Sequence, residues 1–377
     1  MLFFVNGATF SNWLPRVPEI RDRLGLGNAG LGATLLGGGL GGIIGSLLVG
    51  RIAGRVGSRR LLVVAASLLS IGLPFIALVP AAALLLLVLT LLGTLDVCND
   101  VAMNAQGVMV QERVGRSIMN RLHGMWSLGF TGGAVVGSGA AAAGIDVRLH
   151  LVIVGSVLLA TVWIVRRWLI ETDTFSDADD AAGDTPAAGE PAPRARRVSP
   201  VVAMMALSAL AAAMLEVTPN DWAAVLMRDV FDAGRASGFG TVACAGAMLL
   251  GRLGGDHVLD RIGGHRLLLL ALGVVAVGAA VTVTAPFVAV ALLGLAIWGL
   301  GLSVVFPQLY ATAARLPGTS AGAGLGSMLL GQRLGGMLTA ASVGGLAAWQ
   351  DLRIAFAIVC SVAFALLAVS LRRPRAT

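Results

Sequence analysis

The sequence predicts an all-α polytopic membrane protein, with twelve transmembrane helices in two pseudo-symmetric six-helix halves and the first helix truncated. Three observations predict it. Hydrophobic residues make up 57% of the 377-residue chain and charged residues 12%, against about 25% charged in a soluble domain. Apolar stretches near the roughly 20 residues that cross a bilayer recur from end to end. The halves also repeat: GRIAGRVGSRRLL (50–62) is answered by DHVLDRIGGHRLL (256–268), with Gly45/Gly251, Arg55/Arg261, Gly57/Gly263 and Arg60/Arg266 in register. Internal duplication of this kind marks transporters, whose site lies between the repeats near mid-membrane.

The predicted spans lie near 1–14, 29–50, 61–79, 81–110, 118–143, 149–169, 201–226, 236–254, 267–284, 286–309, 320–345 and 353–371. The first is too short to cross as written. Asn12, Trp13 and the PRVPEI run look like the end of a span, so an upstream start is expected. The opening MLFFVNGATFSNW has neither a basic start nor an A-x-A site, which is not the pattern of a cleavable signal peptide. Residues 171–200, rich in Asp, Ala and Pro, read as a disordered cytoplasmic linker between the half 1–170 and the half 201–377.

All 27 basic residues are arginine. Nineteen fall on the side of the linker and C-terminus and seven on the other, with Arg333 left inside a span. That asymmetry predicts both termini in the cytoplasm, and a bacterial inner membrane is the expected location. The net charge of +7 is not a nucleic-acid signal, because no basic stripe carries interleaved aromatics. Cys98, Cys244 and Cys360 lie in apolar spans without metal-ligand spacing. No metal or cofactor is expected. The glycine strings lack a strand–loop–helix context, so they are not nucleotide loops, and nothing suggests an enzyme.

Acidic residues inside apolar spans carry the functional reading. A carboxylate at a helix centre costs roughly 2.5–3.5 kcal/mol on insertion scales and marks an ion, proton or solute pathway. Asp96, Asn99, Asp100, Met103, Asn104 and Gly107 share one face of the fourth span by their spacing. One carboxylate there binds and releases a coupling proton, or the face is a polar network between helices. Glu216, Asn220, Asp221 and Trp222 form a second constellation, with Pro219 expected to break the helix between them. Trp222 stacks on a solute or anchors at the interface. His123 and Trp126 open the fifth span. Gln332 and Arg333 lie inside the eleventh, where the arginine needs an acid, a carbonyl or an anionic solute. G-x-x-x-G runs at Gly37, Gly41 and Gly45, at Gly129, Gly133 and Gly137, at Gly322 with Gly326, and at Gly331 with Gly335 allow close helix approach. They serve either slidable contacts between the halves or tight static packing. Pro307 is expected to kink the tenth span.

The repeated loop resembles that of the major facilitator superfamily, a G-x-x-x-D-R-x-G-R-R-like motif between spans two and three, echoed between eight and nine. The first copy keeps Gly50, Arg55, Gly57, Arg59 and Arg60 but has Gly54 where the family has Asp. The second keeps Asp260, Arg261, Gly263 and Arg266. The resemblance implies that Arg55, Gly57, Arg60, Asp260, Arg261 and Gly263 belong to gating loops. D-x-x-x-D-x-x-M-N (96–104), HGMWSLGFTGGA (123–134), E-x-x-x-x-D-W (216–222) and GLGLSVVFPQLY (299–310) look like the fucose-permease-like branch. In that branch a carboxylate in the fourth span takes part in proton coupling, and Asp96 matches it. The branch's first-span acid has no counterpart here, where only Asn6 and Asn12 are available.

The implied activity is secondary transport of a small polar solute by alternating access, as proton-coupled import. Asp96, Glu216 and Asp100 are the proton-coupling candidates. Asn12, Asn99, Asn104, His123, Trp126, Asp221, Trp222, Gln332 and Arg333 are the solute-binding candidates, with Asn99, Asn104, Gln106 and Gln332 giving a hydrophilic cavity face. The partners are the solute, protons and the lipid bilayer, with no nucleic acid, and the protein is expected to be monomeric. A proton-antiporting exporter of drugs or metabolites and a non-transporting sensor on the same fold remain open.

Overall fold

The computed structural model describes residues 1–116, 118–171, 199–314, 316 and 321–371, with only the backbone at 120, 256 and 321–323. Most of the predicted linker lies outside the described residues. Every regular element among them is helical: α1 (Leu2–Ser11), α2 (Val17–Arg23), α3 (Asn28–Gly72), α4 (Phe75–Leu78), α5 (Ala82–Val114), α6 (Met119–Ala142), α7 (Val147–Val165), α8 (Pro200–Asp229), α9 (Phe239–Ile262), α10 (Gly264–Thr284), α11 (Val288–Leu302), α12 (Val305–Ala313), α13 (Ala321–Leu346) and α14 (Leu352–Ser370), with short 3-10 turns between some of them. By length and apolar content, eight stretches among the described residues are able to cross a membrane. Large apolar side chains face outward, among them Leu47 at 74% and Leu253 at 70% exposure. Arg166 lies 4.1 Å over Trp163, and Arg167 lies 4.1 Å over Trp168. Such aromatic–arginine pairs suit a membrane–water boundary.

The chain's punctuation explains the helix ends. Asp146 caps α7 by accepting from the Arg148 and Leu149 amides, and Asp351 caps α14 by accepting from the Arg353 amide. Gly115 ends α5 in the left-handed conformation. The longest element, α3, turns at Gly57 with φ 75° and ψ 161°. Gly263, its repeat mate, separates α9 from α10 with φ 77° and ψ 157°. The sequence repeat is therefore also a repeat of backbone conformation.

One expectation about helix shape is corrected. Pro219 does not break its helix, and α8 runs unbroken from Pro200 to Asp229. Proline cannot donate to the carbonyl four residues back. That carbonyl, of Leu215, accepts from Trp298 Nε1 at 3.1 Å instead. Three of the glycine runs pack against spans of the same stretch of chain, 1–171 or 199–371, which is the static-packing alternative; in the fourth, a Cβ at Gly326 would meet nothing within 4 Å and Gly322 lies outside the residues described beyond the backbone. A Cβ at Gly37 or Gly41 would strike the Leu86 or Thr90 carbonyl of α5. At Gly129 and Gly137 it would strike the Phe4 and Asn12 carbonyls, and at Gly331 and Gly335 the Ala206 and Leu210 carbonyls of α8. Helices α11 and α12 part at Ser303 and Val304, so the bend falls just before Pro307, which sits in the first turn of α12.

Contacts between residues 1–171 and 199–371 follow two seams, α3 against α13 and α6 against α9. They begin at the bundle end remote from Glu171. There Arg21 pairs with Asp229, Arg228 pairs with Asp22 at 2.6 Å, and Asn28 Nδ2 donates to the Ala347 carbonyl at 3.4 Å. Asp229 holds the Arg21 guanidinium above its ordinary range by hydrogen bonding, against the opposing cost of burial. Along α3 the seam passes Gly32, whose Cβ would meet Ala340, then Gly39 against Met337, then Gly42 against Arg333. Along α6 it passes Thr131, which donates to the Ala245 carbonyl at 3.2 Å, then Ser127, which accepts from Arg252 Nη1 at 2.7 Å. Further toward the Glu171 end, a Cβ at Gly50, Gly54, Gly124, Gly254 or Gly326 would meet nothing within 4 Å.

Candidate functional site

Where the seams end, the polar residues of the spans come together. Asp96 on α5 accepts from Asn6 Nδ2 of α1 at 3.1 Å. Asn6 Oδ1 in turn accepts from Trp126 Nε1 of α6 at 2.6 Å. An asparagine thus presents a donor to the carboxylate and an acceptor to the indole, so both ends of its amide are used. This network joins three helices around the acid. One turn further along α5, Asp100 accepts from Asn104 Nδ2 at 3.0 Å, and its side chain is exposed.

Arg333 of α13 lies across the seam against Gly42. Its guanidinium acts electrostatically on both Asp96 and Asp100, though no ion pair within 4.0 Å joins them among the described residues. Its neighbour Gln332 accepts from the Tyr310 hydroxyl at 3.3 Å. Tyr310 belongs to α12 and is the chain's only tyrosine. It feels Asp100, Glu216 and Arg333 together. Asp96, Asp100, Asn104, Gln332, Arg333 and Tyr310 therefore form one charged and amide-rich centre at the seam.

The second constellation is built on α8. Glu216 and Asp221 interact electrostatically with each other, and Glu216 with Arg252 of α9. Arg252 also lies 5.8 Å from the centroid of the Trp126 ring, and Trp126 stacks on Phe130 at 5.3 Å. Arg252 sits inside α9, on the face that meets α6. Its signal in the sequence was its position at the edge of the eighth apolar segment. Tyr310 stood in the quoted VVFPQLY run without a role.

Other candidates lie elsewhere. Asn99 is buried and borders a narrow hollow with Leu2, Val5, Asn6, Thr9, Ala66 and Leu69. Asn12 ends α1, is buried, and donates back to the Ala8 carbonyl at 2.7 Å. His123 is exposed and meets Phe3 edge-on at 5.4 Å. Trp222 is completely buried, so it does not reach the membrane–water interface, and its Nε1 has no hydrogen-bond partner among the described residues. Gln106 leaves the cavity face. It is buried, donates to Ser58 Oγ at 2.8 Å and to the Ile170 carbonyl at 3.1 Å, and accepts from the Ile170 amide at 3.0 Å. In the loop motif Arg59 pairs with Glu171. Among the described residues no ion pair joins Asp260 to Arg55, Arg60 or Arg261.

Known proteins resemble this chain over most of its length. Residues 1–340 match the sequence profile of the Major Facilitator Superfamily. An uncharacterized MFS-type transporter of Yersinia pestis is 28% identical over 95% of this chain and 90% of its own length. The membrane protein MosC of Rhizobium meliloti is 26% identical over 86% of this chain and 76% of its own. The crystal structure of the nucleoside transporter NupG superposes with a TM-score of 0.76 at 15% identity, over 98% of this chain and 96% of that one. The chain is a multi-pass membrane transporter and belongs to the major facilitator superfamily.

Proposed function

We propose that the chain imports a small, polar, uncharged solute of the sugar type together with a proton. It does so by alternating access between two six-span halves, 1–170 and 201–377. Both termini and residues 171–200 lie in the cytoplasm, following the arginine asymmetry. On that orientation the seam glycines without a neighbour within 4 Å, such as Gly50 and Gly124, lie toward the cytoplasm, which supports an arrangement poised for release. The carrying observation is the Asp96–Asn6–Trp126 network facing Arg333 across the seam. An acid held by two helices of its own half, with Arg333 of the other half across the seam, supports the reading that Asp96 carries the coupling proton.

The charge inventory narrows the solute. Asp96, Asp100, Glu216 and Asp221 outnumber Arg333 and Arg252, so an organic anion would meet an excess of carboxylates. Asn104, Gln332 and Tyr310 supply the donors and acceptors that a hydroxylated solute needs, and Trp126, Phe130 and Tyr310 supply aromatic faces.

The test is the current in proteoliposomes on exposure to pooled sugars, nucleosides, amino acids, organic acids and cationic drugs; nucleosides are included because NupG carries that name. A current with a neutral pool that vanishes in Asp96→Asn, while solute counterflow persists, is the expected result. Unchanged gradient-driven accumulation in Asp96→Asn removes Asp96 from the mechanism. A current with organic acids alone overturns the assigned solute class.

A further inference from the structure

We propose that Arg252 is the clasp of the α6–α9 seam and couples the two acid constellations, a positioning role that rests on the transport reading above. Each seam ends at an arginine carried by the second half, Arg333 against Gly42 and Arg252 against Ser127. Beyond both, a Cβ at Gly50, Gly54, Gly124, Gly254 or Gly326 would meet nothing within 4 Å. Arg333 answers the acids of α5. Arg252 answers Glu216 of α8 while holding α6 through Ser127 Oγ at 2.7 Å and lying over Trp126. Trp126 is the far member of the network that ends at Asp96. One guanidinium therefore contacts the first half through a hydroxyl and an indole face, and the second half through a carboxylate's field.

The physical argument is charge balance. A guanidinium on a partly buried helix face is tolerable only beside compensating acid and acceptor groups. Arg252 Nε is buried and has no hydrogen-bond partner. Its hold on Ser127 is its single hydrogen bond among the described residues. No ion pair within 4.0 Å joins it to Glu216 there, so on this proposal Glu216 serves as counter-charge through its field, with His123 of α6 a further titratable group facing the guanidinium. When Glu216 loses its charge, Arg252 gains by swinging toward water, and the clasp on α6 lapses. Because the contact belongs to the arrangement that leaves Gly124 without a neighbour within 4 Å, its loss shifts the population away from that arrangement.

The test needs no solute. A cysteine is placed by Gly124→Cys, where a side chain meets nothing within 4 Å, on the seam face of α6 one turn from Ser127. The protein is otherwise full-length in nanodiscs. The native cysteines are buried, and the parent protein supplies the background. The rate of reaction with a charged maleimide is measured. Arg252→Gln is expected to slow labelling about fivefold or more, the lower edge of ordinary coupling between sites. Glu216→Gln slows it to a similar degree, the double variant is no slower than either single, and Arg252→Lys stays near the parent. Unchanged or faster labelling in Arg252→Gln overturns the proposal. So do effects of Arg252→Gln and Glu216→Gln that multiply in the double variant.

Should Arg252→Gln fail to elute as a folded species, Ser127→Ala with and without Glu216→Gln decides by the same criterion. Slowed labelling with no transport current leaves the clasp standing and removes proton coupling. A proton current with unchanged labelling removes the clasp alone.

Discussion

Asn104 and Gln106 stand two positions apart on α5 and do different work. Asn104 turns toward the exposed Asp100, whereas Gln106 makes three hydrogen bonds that tie α5 to Ser58 and to the backbone of Ile170. Replacing Gln106 with Leu strips partners from the buried Ile170 backbone, at a cost of about 1–3 kcal/mol. We expect Gln106→Leu to lower the melting temperature in detergent while leaving solute preference unchanged; altered preference at unchanged stability would return it to the solute pathway. The helical spacing made the polar stripe of α5 legible. It did not show which members are consumed by structure, because the partners of Gln106 are 48 and 64 residues away in sequence. Arg252 was obscured for a similar reason: arginines at span edges usually lie in loops, and only the packing of α9 on α6 shows that this one lies in the seam.

Elements record the same division between local and distant information. The all-helical, membrane-spanning class was readable because long apolar runs are local signals. The partners of the glycine runs were not, since a small residue says that something approaches closely without saying what. A Cβ at Gly41 would lie 2.0 Å from the Thr90 carbonyl, a backbone atom that cannot swing aside. Gly41→Ala should therefore cut the yield of monodisperse protein on size exclusion, whereas Gly50→Ala, with nothing within 4 Å, should leave it unchanged. Equal yields would mean that α3 and α5 have slack. In α8, Pro219 was read as a break because its missing donor was visible and the compensating indole, 83 residues away, was not. Trp298→Phe keeps the ring but leaves the Leu215 carbonyl without its donor. It should destabilise the fold by about 1–3 kcal/mol, read as an earlier thermal transition.

At the scale of the molecule, the closed end is held by a cluster of modest ion pairs. Arg21, Asp22, Arg228 and Asp229 are partly solvated, and each such pair contributes about 0.2–1 kcal/mol. Asp229→Asn, or high salt on the parent, should lengthen the distance between spin labels placed by Gly27→Cys and Ala236→Cys. A distance distribution that ignores both would leave that end held by apolar packing alone. The repeat, legible as matched residues 206 positions apart, returns in the structure as matched torsion angles at Gly57 and Gly263. Their φ and ψ fall in a region that is essentially closed to every L-residue with a side chain. Each half therefore reverses direction through a point that is, in stereochemical terms, right for a mirror-image amino acid. Alanine of the natural hand should be rejected at both positions, and D-alanine introduced by semisynthesis should be accepted at both.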